Sequence, residues 1–357
     1  MTLFCIEMLP ACSGDCIWIK YGNPKRPHNI LIDGGFADTY NAIRQRLQIL
    51  PTDQRHFELL IVTHVDRDHI GGILKLLSDP DIGVTFDDIW FNGWDHLPVS
   101  NLEALGPPQG EKLTDLLEKP DLPWNERFNG KSVSIPQTGP LTTYTLESGI
   151  KLTLLSPGLK QLSELRPYWL KECRKAGLDP TYTPPPRQAP PGFEVLGPLN
   201  INVEDLANTT FEKDTTKANG SSIAVLAEFD SRRALLTGDA HSEVLFNSIQ
   251  RLVGMEKNDR LRLDAFKLPH HGSMYNISQD LLEKIDCKRY LFSTNGTGHH
   301  KHPDNEAVAR VIKFGGPEPE LIFNYRSIVN LIWEQPQLIE KYNYSVSYPK
   351  AGQTIDL

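Results

Sequence analysis

Long apolar runs are missing from this 357-residue chain. No stretch approaches the ~20 apolar residues that a membrane helix needs, so a helical span is excluded as a reading of the sequence. Cysteine is scarce: Cys5, Cys12, Cys16, Cys173 and Cys287 make an odd number, thinly spread. That argues against a secreted disulfide framework and points to a cytoplasmic location. Cys12 and Cys16 lack a second thiol pair to complete a four-thiolate metal site, so they read as buried or loop thiols. An excess of positive charge is also missing. Lys and Arg number 37 against 45 Asp and Glu, a formal net charge of −8. The chain is therefore no general polyanion grip, and any nucleic-acid contact must rest on a local site. The opening MTLFCIEMLPACSGDCIWI lacks a basic n-region and is interrupted by Glu7 and Asp15. It reads as a strand rather than a signal peptide.

What is present is a succession of short apolar segments that end in polar, chemically rich turns. Strands are expected at 2–9, 16–22, 28–35, 57–63, 87–93, 152–157, 221–229 and 233–239, and within 264–273, where a strand runs into a His-rich loop, with further β signals in RYLFSTNG, LIFNY, IVNLIW and YNYSVSY. Helices are expected at 38–50, 70–78, 159–177 (with Pro167 inside) and about 241–253. Prolines concentrate in 179–202, which reads as a surface loop. Two segments echo each other: Gly14 to Asp33 and Gly220 to Asp239 both span 19 positions as Gly, strand, turn, strand, Asp. The echo fits two related half-domains, and it also fits two hairpins of ordinary size.

The densest chemistry is THVDRDHIGG, where His64, Asp66, Asp68 and His69 follow the apolar FELLIV. Imidazole nitrogens and carboxylate oxygens together suit zinc, manganese or iron. Four such groups in six residues exceed what one ion takes from one loop, so a two-metal centre is a plausible reading. Asp and His also occur in loops as helix caps. Further sets in ALLTGD, FKLPHHGS and GHHKHP, each after an apolar run, weigh against that plainer reading.

His64-x-Asp66-x-Asp68-His69 with Gly71-Gly72 resembles the H-x-H-x-D-H signature of the metallo-β-lactamase fold, with Asp66 in place of the usual second His. Together with LPHHGS, LLTGD, LPACSGDCIWI and ILIDGG, it is similar to the hydrolase domain of ComEC-type competence proteins and their stand-alone relatives. The resemblance runs from about residue 2 to 345 and is weakest over about 95–215. It implies an α/β fold, an αββα sandwich with metals along one edge of the sheets. It also implies a single domain over 1–357 with an insertion at about 95–215. By its pattern His64 and Asp66 hold a first cation, Asp68 and His69 a second, and Asp239 bridges them. One histidine of LPHHGS completes the second site, with His271 favoured and His270 as acid/base partner. Asp33 braces the loop by hydrogen bonds.

Other positions carry alternatives. Asn219 stands where the family has a further metal His; it reads as a weak ligand, a substrate contact or ordinary Asn-Gly turn chemistry. Lys267 reads as a phosphate contact or a solvated lysine, and His302 as a catalytic or supporting group. His299 and His300 read as solvated loop. Trp90, Trp94 and His96 are candidates for the site's mouth, core packing being the plainer role of the tryptophans. The expected function is a hydrolase with one or two divalent ions, zinc or manganese with iron as a further candidate. Asp68 is central to catalysis, and a phosphodiester in DNA, RNA or a nucleotide is the expected substrate. The alternatives are hydrolysis of a small ester, thioester or lactone, and a partner-binding protein with a degenerate metal site. A protein partner is expected, if anywhere, at 95–215; no membrane association is expected.

Overall fold

Along Ile17–Asn23 the side chains alternate between two destinations. Ile17 and Ile19 enter one core and Trp18 the other. The same alternation places Ile30 and Ile32 on one side and Leu31 on the other, then Leu59 and Ile61 opposite Leu60 and Val62. A sheet with both faces buried must lie between two layers, and a period of two sorts its side chains that way. The computed structural model describes residues 2–98, 108–119, 122–175, 201–254, 259–297, 301–349 and 355–357.

The first sheet contains β1 (Leu3–Met8), β2 (Ile17–Asn23), β3 (Arg26–Ile32), β4 (Leu59–Ile61) and β5 (Ile89–Trp90) in that spatial order. The C-terminal Ile355–Asp356 adds to the far edge of β1. The second sheet begins with β6 (Thr143–Thr145), β7 (Lys151–Ser156), β8 (Ala224–Phe229) and β9 (Arg232–Leu236). It continues through β10 (Ala265–Lys267), β11 (Arg289–Phe292), β12 (Glu320–Phe323) and β13 (Ser345–Ser347). Helices α1 (Tyr40–Ile49), α2 (Arg67–Leu77), α3 (Pro108–Leu117) and α4 (Leu159–Lys175) cover the outer face of the first sheet through Ile43, Leu47, Ile70, Ile73, Leu113 and Trp169. Helices α5 (Ser242–Val253) and α6 (Asn305–Phe314) contribute Leu245, Ile249, Val308 and Val311 to the core of the second sheet. This is the αββα sandwich. Each fully buried Ile, Leu or Val contributes about 1.5–3 kcal/mol, so the paired cores supply most of the favourable free energy.

Within each sheet the strands that carry the polar turns run parallel: β3 beside β4, and β9 beside β10 beside β11. Their carboxyl ends therefore share one edge, where α/β folds build sites. The glycines set the spacing there. A Cβ on Gly14 would overlap the Asp68 carbonyl, and one on Gly72 would overlap the Gly34 carbonyl. The glycine pairs of ILIDGG and HIGG thus let two turns meet backbone to backbone, sealed by hydrogen bonds from Gly34 N to His69 O (2.7 Å) and Gly72 N to Gly35 O (3.0 Å).

Several expectations change. Helix α2 starts at Arg67 rather than 70, which puts Asp68 and His69 in its first turn. IVNLIW does not form a strand; Leu331–Glu334 is a 3₁₀ turn, entered through a hydrogen bond from Ser327 N to Asn330 Oδ1 (2.9 Å). Residues 95–215 are not wholly an insertion: β7 pairs with β8 inside the second sheet, and α3 and α4 help to close the outer core. Residues 179–200 of the proline-rich loop lie outside the described residues, as do 99–107, 120–121 and 176–178 of the 95–215 region where a protein partner is expected. Among the described residues no helix is long and apolar enough to cross a membrane.

Candidate metal centre

Asp239 follows β9 in a turn whose Gly238 has φ +50°. Its carboxylate is buried and faced by four imidazoles. Nε2 of His69 lies 3.4 Å from Oδ1; Nε2 of His64, His271 and His270 lie 3.8, 3.7 and 3.8 Å from Oδ2. Asp66 and Asp68 complete the cluster, Asp66 Oδ2 3.6 Å from His64 Nε2 and Asp68 Oδ2 3.4 Å from His271 Nε2. Asp68 Oδ2 also lies 4.0 Å from His69 Nε2. All six residues read from the sequence as metal ligands are thus brought together, with His270 beside them.

The opposite nitrogen of each ring is held. His69 Nδ1 lies 2.7 Å from Asp33 Oδ2, and Asp33 also accepts from Thr63 N (2.8 Å) and Thr63 Oγ1 (2.7 Å). His64 Nδ1 meets Thr63 Oγ1 at 3.0 Å and Ser222 Oγ at 3.2 Å. His271 Nδ1 is 3.0 Å from the Ser293 carbonyl oxygen and 3.3 Å from Asp15 Oδ1. His270 Nδ1 is 2.9 Å from Asn276 Oδ1. Partners of this kind fix the orientation of an imidazole and select which nitrogen faces a metal. The backbone is strained at the same place: Asp33, His270 and His271 have φ of +58°, +49° and +56°. For non-glycine residues such conformations cost on the order of 1–3 kcal/mol and cluster at working sites.

The inner nitrogens have no such partners. Nε2 of His64, His69 and His271 and Oδ1 of Asp239 are buried without a hydrogen bond among the described residues. Each orphaned buried polar atom costs about 1–3 kcal/mol, and here several converge on one point. A divalent cation satisfies them, so the donor set fits a metal. His69, Asp239, His271 and Asp15 offer ligand atoms within 4.8 Å of one another. Asp15, however, is ion-paired with the buried Lys267 as well as facing His271 Nδ1. Asp15 is thus tied to the outer nitrogen of His271, whereas Asp68 faces the inner nitrogens of His271 and His69.

The charges are mutually enforced. Burial alone would raise the Asp68 carboxyl, but His69 and His271 beside it hold it at about 2. Burial would lower His271; Asp239 and Asp15 overcome this and raise it to about 9. Burial opposes the charge on His69 and on Asp239, yet their mutual attraction and the neighbouring groups push His69 well above and Asp239 well below their ordinary values.

Two expected substrate contacts are corrected. Lys267 is fully buried; it pairs with Asp15 and donates to the Gly238 carbonyl at 3.2 Å, because its place inside β10 turns it into the protein. Asn219 is also buried, and its amide donates to Asp214 Oδ2 at 2.8 Å rather than facing the entrance. His302 does stand at the site: its ring lies 4.9 Å from that of His270, centroid to centroid, and burial lowers its pKa. Trp90 and Trp94 are core residues, and His96 packs edge-on against Trp124. His299 and His300 lie outside the described residues. Asp15, Asp214 and Asn276 were missed. Asp214 accepts from Asn219 and Asn276, which in turn meet His270. Only the Gly-Asp step of SGDC, ahead of β2, carried a sequence signal for Asp15.

Residues 9–145 match the family model of the metallo-beta-lactamase superfamily. The matched residues run from the first sheet through the metal loop to β6, and the αββα sandwich agrees with the fold of that superfamily. No curated protein matches the chain. Among solved structures it is similar to the metallo-β-lactamase fold protein YhfI from Bacillus subtilis, at 12% identity, covering 99% of this chain and 100% of that one, TM-score 0.44. It is also similar to a proposed metal-dependent hydrolase from Parabacteroides distasonis, at 11% identity, covering 98% and 93%, TM-score 0.37. A third is MEM-A1, a subclass B3 metallo-β-lactamase from a soil metagenome library, at 12% identity, covering 88% and 92%, TM-score 0.31. Likenesses this remote say nothing about activity.

Proposed function

We propose that this protein is a phosphodiesterase of the nuclease kind, working with one or two divalent ions, zinc or manganese. The observation that carries the reading is the Asp239 carboxylate, with an imidazole on Oδ1 and three on Oδ2. A buried carboxylate faced by four imidazoles would suit sharing between two cations. His64, Asp66 and Asp239 would hold one, with His270 supplying the imidazole that Asn219 does not. Asp68, His69, His271 and Asp239 would hold the other. Cations held there supply Lewis acidity towards a phosphoryl oxygen and make water a stronger acid.

The remaining work belongs to the chain's own groups. Asp33 and Asp15 keep His69 and His271 turned inward. Asp66 and Asp68 add negative charge and hard oxygen donors, which favour manganese more than an all-imidazole site would. His302 is uncharged at neutral pH, because burial lowers its pKa, and is placed beside His270 to accept or return a proton.

The test is a chelated sample reloaded with zinc, manganese or iron. It is assayed on supercoiled, linear and single-stranded DNA, on RNA, and on a chromogenic phosphodiester, beside a chromogenic ester and a lactone. Metal-dependent cleavage of the phosphodiesters supports the proposal. Turnover of the ester or lactone with every phosphodiester untouched rejects it in favour of small-ester hydrolysis. No turnover of any substrate favours a partner-binding role.

A further inference from the structure

Helix α2 carries the metal loop at its start and a second feature along its outer side. Its buried stripe is His69, Ile70, Gly72, Ile73 and Leu76. The opposite stripe, at helical spacing, contains Arg67, Gly71 and Lys75. This stripe forms one wall of a cavity of about 330 Å³, completed by α3 through Gln109 and Lys112 and by the turn after β3 through Phe36. Arg67, Lys75 and Lys112 are exposed, and Phe36 is half-buried. Among the described residues no carboxylate lines the cavity. In a chain of net charge −8, three cations lining one cavity are a local departure from the whole.

The groove and the metal loop share the start of α2. Arg67 sits between Asp66 and Asp68 in sequence, and Lys75 follows eight residues later, about 12 Å along the helix axis at ~1.5 Å per residue. At the ~3.4 Å per phosphate of a strand in a duplex that length matches roughly three phosphates, and fewer in an extended single strand. Cations that track a backbone, with an aromatic face for bases, are the combination used by grooves that hold single-stranded nucleic acid. A duplex would need a broader basic surface than these three side chains provide.

We propose that this groove binds the phosphodiester backbone of a single-stranded nucleic acid leading to the metal centre, with Arg67, Lys75 and Lys112 meeting phosphates and Phe36 stacking on a base. The inference rests on the phosphodiesterase reading and narrows its substrate to a strand with phosphates flanking the one cleaved. It places the discrimination between a simple diester and an oligonucleotide in α2 and α3, outside the metal donors.

Binding can be measured apart from turnover. Chelated protein is titrated into an end-labelled single strand of about ten nucleotides, a length within the range such grooves cover, and followed by fluorescence anisotropy. The pair Lys75→Glu/Lys112→Glu is expected to weaken binding at least about tenfold and to reduce the slope of log K against log salt by about 1.4, roughly 0.7 per lost contact. Phe36→Ala is expected to weaken it about fivefold or more, the equivalent of one weak stacking contact. Lys25→Glu/Lys131→Glu makes the same charge change outside the groove and should leave binding within about twofold. With metal restored, the groove pair should keep the wild-type kcat/KM on a chromogenic diester and lose it on the oligonucleotide. Absence of wild-type binding, equal loss in groove and control pairs, or tighter binding of a duplex through the same residues would each overturn the groove. If the binding pattern holds while the metal-loaded protein cleaves no phosphodiester, the groove stands and the activity reading fails.

Discussion

His69 lies between two aspartates: Nδ1 is 2.7 Å from Asp33 Oδ2, and Nε2 is 3.4 Å from Asp239 Oδ1. The first aspartate comes from the end of a strand in the first sheet and the second from the end of a strand in the other, so this one ring joins the halves of the sandwich. The outer contact aims the ring, and the inner contact marks where a cation would be held.

Asp33→Asn should therefore weaken metal binding while leaving the fold. Asn tolerates the φ of +58° found at this position. It removes the negative charge that sets the tautomer and basicity of His69, which typically costs about 10–100-fold in metal affinity. Chelator competition reads this directly. Unchanged affinity would show that Asp33 supports the fold alone.

Lys267 and Asp15 form a fully buried pair. Lys267→Met leaves the Asp15 carboxylate uncompensated, and breaking a buried pair from one side costs about 3–5 kcal/mol. Denaturant unfolding should show that loss, and the double variant Lys267→Met/Asp15→Asn should recover much of it. A variant of wild-type stability with a raised KM would return Lys267 to the role of phosphate contact.

Metal binding should release protons. The His271 pKa is raised to about 9, so below that pH the metal-free imidazole carries a proton that a ligand must give up. Affinity should rise with pH up to about 9. Calorimetry in two buffers of different ionisation enthalpy measures the protons released at neutral pH. The sign for stability is opposite. A folded pKa raised above the ordinary 6.5 stabilises the metal-free protein fully below that pH, and the contribution is lost as pH rises through about 9. Affinity independent of pH between 6.5 and 9 would contradict the assignment.

Gly14→Ala should act through the backbone of the metal loop rather than through a ligand side chain. Its Cβ would overlap the Asp68 carbonyl, so the α2 turn carrying Asp68 and His69 must shift. Overpacking of this kind costs about 1–3 kcal/mol. Metal affinity should fall with stability; a variant with wild-type values for both would mean that the turn is free to adjust.

The residues of the centre that were legible in the sequence are those in short motifs at strand ends: His64, Asp66, Asp68, His69, Asp239 and His271. Their neighbours in sequence place them, because a strand followed by a tight turn fixes where a side chain goes. Asp15, Asp214 and Asn276 reach the centre only through tertiary packing, from loops whose local pattern resembles any polar turn. Lys267 was misread for a related reason: the short strand Ala265–Lys267 reveals little of its in-and-out alternation, and a lysine near a histidine loop suggests solvent. β7 was visible as a strand in LTLLSP, yet its partner Ala224–Phe229 is some seventy positions away. Its membership in the second sheet could not be read locally.

The most direct test of the centre is the metal content of wild type and Asp239→Ala, loaded in parallel with zinc or manganese, dialysed, and measured by elemental mass spectrometry. One or two ions per wild-type chain, and loss of bound metal in the variant with its fold retained, is the predicted result. A wild type that retains no metal, or a variant that retains as much as wild type, would contradict a centre organised around Asp239.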